Sequence, residues 1–250
     1  MFSHKNSVRF LGLITALAIA LMFFVEPIPQ DPAYHLFADA REIGRVPNFW
    51  NVISNLPFLF VGIYGLARYS RTVDIGNRAA YLLLCGGVFL VGFGSAYYHW
   101  SPSTASLLWD RLPMTVAFMA LFALLLEERI PHKNKLLSLW LLVVIGVGSA
   151  VYWSYTESLG HGDLRPYALV QFLPLILIPL MLLLFKANYL RGGLLMAALG
   201  WYVIAKIFEF YDPEVFDALG LLSGHTIKHL LAGVAVLYII LAVPEQEARR

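Results

Sequence analysis

Long apolar runs alternate with short polar connections along almost the whole chain. A helix needs about 20 apolar residues to cross the hydrocarbon core of a bilayer, because each residue advances it by about 1.5 Å. Eight runs approach that length, at residues 8–25, 49–69, 79–98, 107–126, 136–155, 167–186, 193–211 and 223–242. The pattern predicts an all-α fold, a polytopic membrane helix bundle of eight spans with no separate soluble domain.

The first run also resembles a signal peptide, since Lys5 and Arg9 precede it. The residues after it, FFVEPIPQ, lack a small-x-small cleavage site, which favours an uncleaved span. The longest connection follows at 26–48, and its FADARE stretch at 37–42 is a candidate interfacial helix. Residues 1–47 therefore form an N-terminal span and an outer polar segment.

Composition supports a membrane protein and excludes other classes. The chain is 59% hydrophobic and 14% charged, whereas soluble domains are roughly 45–50% apolar and about 25% charged. A formal charge of +2 without a basic cluster argues against nucleic acid as a partner. The single cysteine, Cys85, excludes an internal disulfide and a thiolate metal cage, so a metal site would use His, Asp or Glu.

Lysine and arginine divide unevenly between the two sides of the membrane if the N-terminus is cytoplasmic. The inner side then holds Lys5, Arg9, Arg68, Arg71, Arg78, Arg129, Lys133, Lys135, Lys186, Arg191, Arg249 and Arg250. The outer side holds Arg41, Arg45 and Arg165. The asymmetry predicts a cell (inner) membrane protein with both termini in the cytoplasm.

The other ionisable residues near the spans gather on the outer side. They are His99, Asp110, Arg111, Lys206, Glu209, His225, Lys228 and His229. An isolated charge at such depth costs a few kcal/mol. Their common depth predicts an internal polar cavity that opens to the outside.

Three histidines in this group have the spacing of a metal site. His225 and His229 are four residues apart, which places both imidazoles on one helix face. His99 lies at similar depth, and three imidazoles would leave a fourth tetrahedral position for water, as in catalytic zinc sites. Ser95 precedes His99 by four residues and faces the same side. A hydrogen-bonded packing role is the alternative for each histidine taken alone, because an HxxxH match by itself is weak.

At these residues the chain resembles the alkaline ceramidases, part of a superfamily of seven-helix membrane proteins that includes adiponectin-type receptors. The family pattern is matched by Ser95 and His99 in GSAYYHW, Asp110 in WDRLPM, and His225 and His229 in SGHTIKH. NFWNVISNLPF is similar to the first family helix. The resemblance makes 48–250 a seven-helix ceramidase-like domain and leaves the first span as an addition.

The resemblance implies a zinc-dependent amidohydrolase that takes a ceramide-like lipid amide from the bilayer. His99, His225 and His229 would bind zinc, and Asp110 and Ser95 would line the site. We expect Asp110 to accept the proton of the attacking water and pass it to the leaving amine. Ser95 would donate a hydrogen bond to the zinc-bound species or to the developing oxyanion.

The chain departs from the family at two places. Family ceramidases bind calcium through an acidic N-terminal segment, but here only the FADARE stretch, with Asp39 and Glu42, stands before NFWN, and Asn48 replaces an expected acid. Arg111 replaces the usual acidic residue after Asp110. Calcium as a second cofactor and ceramide itself as the substrate therefore stay open.

Two other functions remain as alternatives. A receptor-like or transport protein could keep zinc as a structural staple, with Asp110 as the fourth ligand. A haem-binding electron carrier could use histidines from different helices, although Ser95 and Asp110 would then be unexplained. An intramembrane serine protease is disfavoured because GFGSA lacks the GxSG order.

Overall fold

Helices form the regular structure of the described residues, which are 3–72 and 77–246 in this computed structural model. The helices are α1 (His4–Met22), α2 (Phe49–Ile53), α3 (Leu56–Arg68), α4 (Arg78–Trp100), α5 (Thr104–Arg129), α6 (Lys135–Ser158), α7 (Arg165–Leu184), α8 (Gly192–Phe210), α9 (Asp212–Leu219) and α10 (Gly224–Ala242). Two 3₁₀ turns, Pro32–His35 and Tyr69–Arg71, complete them.

Eight helical stretches of the described chain are long and apolar enough to cross a membrane, with α2 and α3 counted together as Phe49–Arg71. This confirms the all-α, eight-span prediction and fits a multi-pass membrane protein. The first helix begins earlier than the predicted run at residue 8, because the Ser3 side chain accepts the Asn6 N–H at 3.4 Å and caps it. Arg249 and Arg250 lie outside the described residues.

Two local predictions differ from the structure. The span predicted at 49–69 is interrupted at Ser54–Asn55, since Pro57 in the first turn of α3 has no N–H to continue the preceding helix. The FADARE stretch is not helical. Instead a 3₁₀ turn forms just before it, where the Asp31 carboxylate accepts the Ala33 N–H at 2.8 Å.

The helices pack around α4 and α5. α4 lies between α3 and α5, α5 also contacts α6 and α7, and α10 packs along α8 and against α3. α1 contacts α7 at the edge of the bundle. Large apolar side chains such as Phe93, Val144 and Leu183 are 55%, 65% and 76% exposed. This outward apolar surface is what a bundle surrounded by lipid requires.

The described ends of the first and last spans lie at one end of the bundle. The Gln246 N–H donates to the Arg71 carbonyl at 2.8 Å, so the end of α10 meets the end of α3. The His4 ring packs edge-on against Phe185, after α7, at 5.2 Å between centroids. The end of α4 and the start of α10 therefore lie at the opposite end, which agrees with an even number of spans.

The approach of α3 to α4 depends on Gly62. A Cβ at this position would lie 2.7 Å from the backbone nitrogen of Phe89. We expect Gly62→Ala to force the helices apart and to cost about 1–3 kcal/mol of folding stability, as overpacking does. A lower thermal unfolding temperature of the purified protein in detergent would show this.

Gly86 in α4 is the matched control, because a Cβ there meets nothing within 4 Å. Gly86→Ala should leave the unfolding temperature unchanged or slightly higher, since alanine favours helix. Equal unfolding temperatures for the two variants would contradict close contact at Gly62.

Candidate functional site

The three predicted histidines meet in the interior. His99 occupies the last turn of α4, and the first two turns of α10 carry His225 and His229. The residues are 0%, 6% and 3% exposed. Their ligand atoms all lie within 4.8 Å of one another, as a metal ion would require. Among the described residues this is the one such group of three or more His, Cys, Asp or Glu.

The nitrogen spacing suits tetrahedral coordination. His99 Nε2 and His225 Nε2 are 3.4 Å apart, and two ligands about 2.05 Å from a tetrahedral zinc would be separated by about 3.3 Å. Imidazoles approach this closely either through an N–H···N hydrogen bond or around a shared cation. His99 Nδ1 is buried without a hydrogen-bond partner among the described residues. The donor set therefore fits zinc.

Local capping fixes the start of α10. The Ser223 hydroxyl accepts the Thr226 N–H at 3.2 Å, and Asp212 Oδ1 accepts the His225 N–H at 2.6 Å. These bonds satisfy amide groups that a helix start leaves free. They also hold the first turn, and with it His225, in one position.

A serine that sequence reasoning missed orients the third histidine. Ser54 Oγ lies 2.8 Å from His229 Nδ1 and 3.1 Å from the Asn51 carbonyl. If Nε2 binds a metal, the His229 Nδ1–H donates to Ser54, which donates to Asn51. Such partners fix the tautomer and ring orientation of metal ligands. Ser54 lies at the interruption between α2 and α3 and faces the interior. Pro57 indicates an interruption at this place in the sequence, but it does not indicate that Ser54 contacts a histidine.

We expect Ser54→Ala to lower zinc affinity by roughly 10–100-fold, because the imidazole of His229 loses its orienting partner. Competition with a chelator of known affinity measures the change. Ser149→Ala is the control, since Ser149 is as buried as Ser54 but bonds only the Gly146 carbonyl in α6. Equal zinc affinity for the Ser54 variant and this control would show that the bond is not needed.

Ser95 and Asp110 lie beside the histidines. Ser95 is buried in α4, one turn before His99, and Asp110 is half-buried near the start of α5. Their side chains are close enough to interact, and both line one cavity with His229. The structure therefore brings all five predicted site residues to one end of the bundle.

The cavity has a volume of about 220 Å³ and two chemically different ends. Its polar wall contains Ser95, Asp110, Arg111, Lys206, Glu209, Lys228 and His229. Its remaining wall is largely apolar and includes Met114, Phe118, Leu121, Pro174, Ile178 and Val236. An elongated molecule with one polar and one apolar end matches this lining.

A second, more open groove of about 520 Å³ lies on the outside of α7 and α8. Its walls include Leu175, Leu199, Tyr202 and Lys206, which also line the cavity. These shared side chains stand between the cavity and the lipid-facing surface. The cavity and the groove are thus separated by these shared side chains.

The lysines of the site are paired with Glu209. Lys206 and Glu209 are three residues apart in α8, a spacing that predicts a local ion pair, and the structure confirms this pair. Lys228 donates to the same carboxylate at 2.9 Å and also lies 3.2 Å from His225 Nε2. From helix geometry alone we expect Lys228 to point away from the His225 and His229 face and to reach the outer interface or an acidic partner. The acidic partner is confirmed as Glu209, whereas the direction is wrong, because the side chain also lies next to His225.

The outer segment covers the site. The Phe37 ring lies 4.7 Å from His99 and 4.8 Å from His225 between centroids. The Ala38 N–H donates to Asp212 Oδ2 at 3.0 Å. Asp212 is thus buried and ties this segment to α10. These contacts span many residues of sequence, so no local pattern predicts them.

An ion pair fixes the next part of the same segment. Burial alone would raise the pKa of Asp39, but hydrogen bonds from the side chain and backbone of Arg41 hold it below its usual value. Arg41 Nη2 also donates to the Leu221 carbonyl at 2.6 Å. Asp39, one of the two acids of the FADARE stretch before NFWN, is therefore already paired with a cation from the chain itself.

Comparison with known proteins assigns the family. Residues 44–190 match the protein-family model described as Ceramidase, which covers more than half of the chain. The matched range includes Ser95, His99 and Asp110, whereas His225 and His229 follow it. Neither the curated proteins nor the solved structures contain a match. On the strength of the family match, the chain belongs to the Ceramidase family.

Proposed function

We propose that this protein is a zinc-dependent membrane hydrolase that cleaves the amide bond of a ceramide-like lipid. The observation that carries the proposal is a buried set of three histidines that no fourth His, Cys, Asp or Glu joins among the described residues. Structural zinc sites are usually closed by a fourth protein ligand, whereas catalytic sites keep one position open. Family membership supports amide hydrolysis as the reaction.

His99, His225 and His229 would hold the metal. Zinc, when bound, supplies Lewis-acid activation of water and of the substrate carbonyl at neutral pH. Asp110 takes the proton from the attacking water and returns it to the amine nitrogen as the C–N bond breaks. Ser95 lies beside Asp110 and donates a hydrogen bond that stabilises the developing oxyanion.

The cavity supports a lipid as the substrate. A fatty acyl chain would occupy the apolar part between α5, α7 and α10, which places the amide at the polar end beside His229. The groove on α7 and α8 offers a route from the bilayer, because it shares walls with the cavity. Entry then requires displacement of side chains such as Tyr202 and Leu199 rather than of a whole helix.

The haem alternative finds less support. The rings of His99, His225 and His229 lie 4.8–4.9 Å apart between centroids, which leaves no space for a macrocycle between any two of them.

We further propose that the termini are cytoplasmic and the site faces outward, since the lysine and arginine asymmetry favours this orientation. We also propose that residues 48–250, which contain all five site residues, form the catalytic unit.

Fatty acid release tests the proposal. Purified protein is incubated with ceramides, acyl-amino acids and other lipid amides, before and after removal of metal with a chelator. We expect release from at least one class, loss of release after chelation, and recovery with one equivalent of zinc. Release that is indifferent to chelation, in protein shown to contain no zinc, would contradict the metal role.

A further inference from the structure

Arg111 is a buried cation in the cavity wall that lacks an acidic partner. It is 6% exposed, and no carboxylate of the described residues lies within ion-pair distance of it. Its Nη2 donates to Gln30 Oε1 at 2.8 Å, but its Nη1 is buried without a partner. Leaving one donor of a buried charged group unsatisfied is unfavourable.

Aromatic rings hold this guanidinium in place. Its Cζ lies 4.0 Å from the centroid of Trp153 and 4.6 Å from that of Tyr167. Cation–π contacts stabilise the charge and restrict the side chain. They do not supply an acceptor for Nη1. Arg111 is therefore positioned by its surroundings while one hydrogen-bonding position stays unfilled.

The charges around the cavity leave a positive excess. Its described acidic and basic lining residues are Asp110, Arg111, Lys206, Glu209 and Lys228. Both lysines share the single carboxylate of Glu209. The sum is one net positive charge with neutral histidines, and a divalent metal at the triad would add to it. Such a cavity favours a ligand that brings negative charge.

We propose that Arg111 binds a carboxylate on the amine side of the substrate, so that the preferred lipid amide is an N-acyl amino acid rather than a neutral ceramide. This inference rests on the proposed hydrolase function and names its substrate class. Arg111 follows Asp110 directly in α5 and lines the same cavity. The anionic group of such a substrate would lie on the amine side, near the amide that Asp110 serves.

A carboxylate fits better than a phosphate. One Nη position is free and the excess charge is one unit, which a single carboxylate neutralises with a charge-assisted hydrogen bond. A phosphate monoester carries close to two negative charges at neutral pH. It would also place the second charge near Asp110, which is unfavourable.

Binding of uncleavable analogues tests the proposal independently of catalysis. The probes are ketomethylene analogues of N-palmitoylglycine and N-palmitoylethanolamine, together with free palmitate. The first analogue ends in a carboxylate and the second in a hydroxyl group. Dissociation constants are measured by calorimetry on zinc-loaded protein in detergent. We expect the carboxylate analogue to bind wild type at least ~10-fold more tightly than the alcohol. Arg111→Gln should weaken it by roughly 30-fold, as loss of a buried charge partner does, and leave the alcohol unchanged.

Two further variants control for folding and charge. Arg111→Lys keeps the charge and should retain part of the preference. Arg165→Gln removes a cation that pairs with Asp163 outside the cavity and should retain all of it. If Arg111→Gln does not fold, the preference of wild type and of Arg111→Lys still decides the outcome.

Equal affinity of wild type for the two analogues overturns the proposal. So does a preference that survives in Arg111→Gln, because the carboxylate would then bind elsewhere, for example at the metal. Arg111-dependent binding of palmitate alone also overturns it, since the residue would hold the product. Hydrolysis assays on the parent amides separate the two ideas: binding preference without any fatty acid release contradicts only the hydrolase function.

Discussion

His225→Ala should lose bound zinc and amide hydrolysis together. The variant leaves two of the three clustered imidazoles, and two neutral nitrogen ligands hold zinc far less well than three. Metal catalysis contributes several kcal/mol to such reactions, so kcat/KM should fall by about 10³-fold or more. Elemental analysis of purified protein and fatty acid release measure the two effects on the same sample.

His161→Ala is the matched control for this experiment. His161 is exposed, and its Nδ1 lies 3.1 Å from the Leu159 carbonyl, within the loop between α6 and α7. This variant should keep full zinc content and full activity. Stoichiometric zinc and unchanged hydrolysis in His225→Ala would contradict the proposal that the three histidines bind a catalytic zinc ion.

Hydropathy predicts the spans because lipid imposes one simple requirement on every residue that faces it. The runs at 79–98 and 107–126 correspond to α4 and α5 to within three residues at each end. Hydropathy does not report hydrogen bonding. It therefore misses the interruption before Pro57, which divides an apolar run into two helices, and the cap at Ser3, which moves the start of the first helix.

The candidate site likewise has a part that the sequence predicts and a part that it does not. Spacing along single helices places His225 near His229 and Ser95 near His99, because the geometry of a helix is fixed. Contacts between distant segments have no such rule. Ser54 reaches His229 across 175 positions of sequence, and Phe37 covers the histidines from an irregular segment, so only the folded chain reveals them.

Asp110→Asn should keep zinc and lose most of the activity. The amide replaces the carboxylate with a group of nearly the same shape that cannot accept the proton of the attacking water. Acid–base groups contribute about 10²–10⁴-fold, and we expect a loss of this size in kcat. Asp217→Asn removes an exposed acid of α9 and should change neither quantity.

The zinc content of Asp110→Asn decides between two roles for the carboxylate. A structural zinc protein with Asp110 as fourth ligand would lose metal affinity in this variant. A hydrolase in which Asp110 moves a proton would keep the metal on three histidines and fail only in turnover. Asp110 is absent from the described group of metal-competent residues and lines the cavity with Ser95. We therefore expect zinc at full occupancy in an inactive variant, whereas loss of zinc would indicate that Asp110 is a zinc ligand.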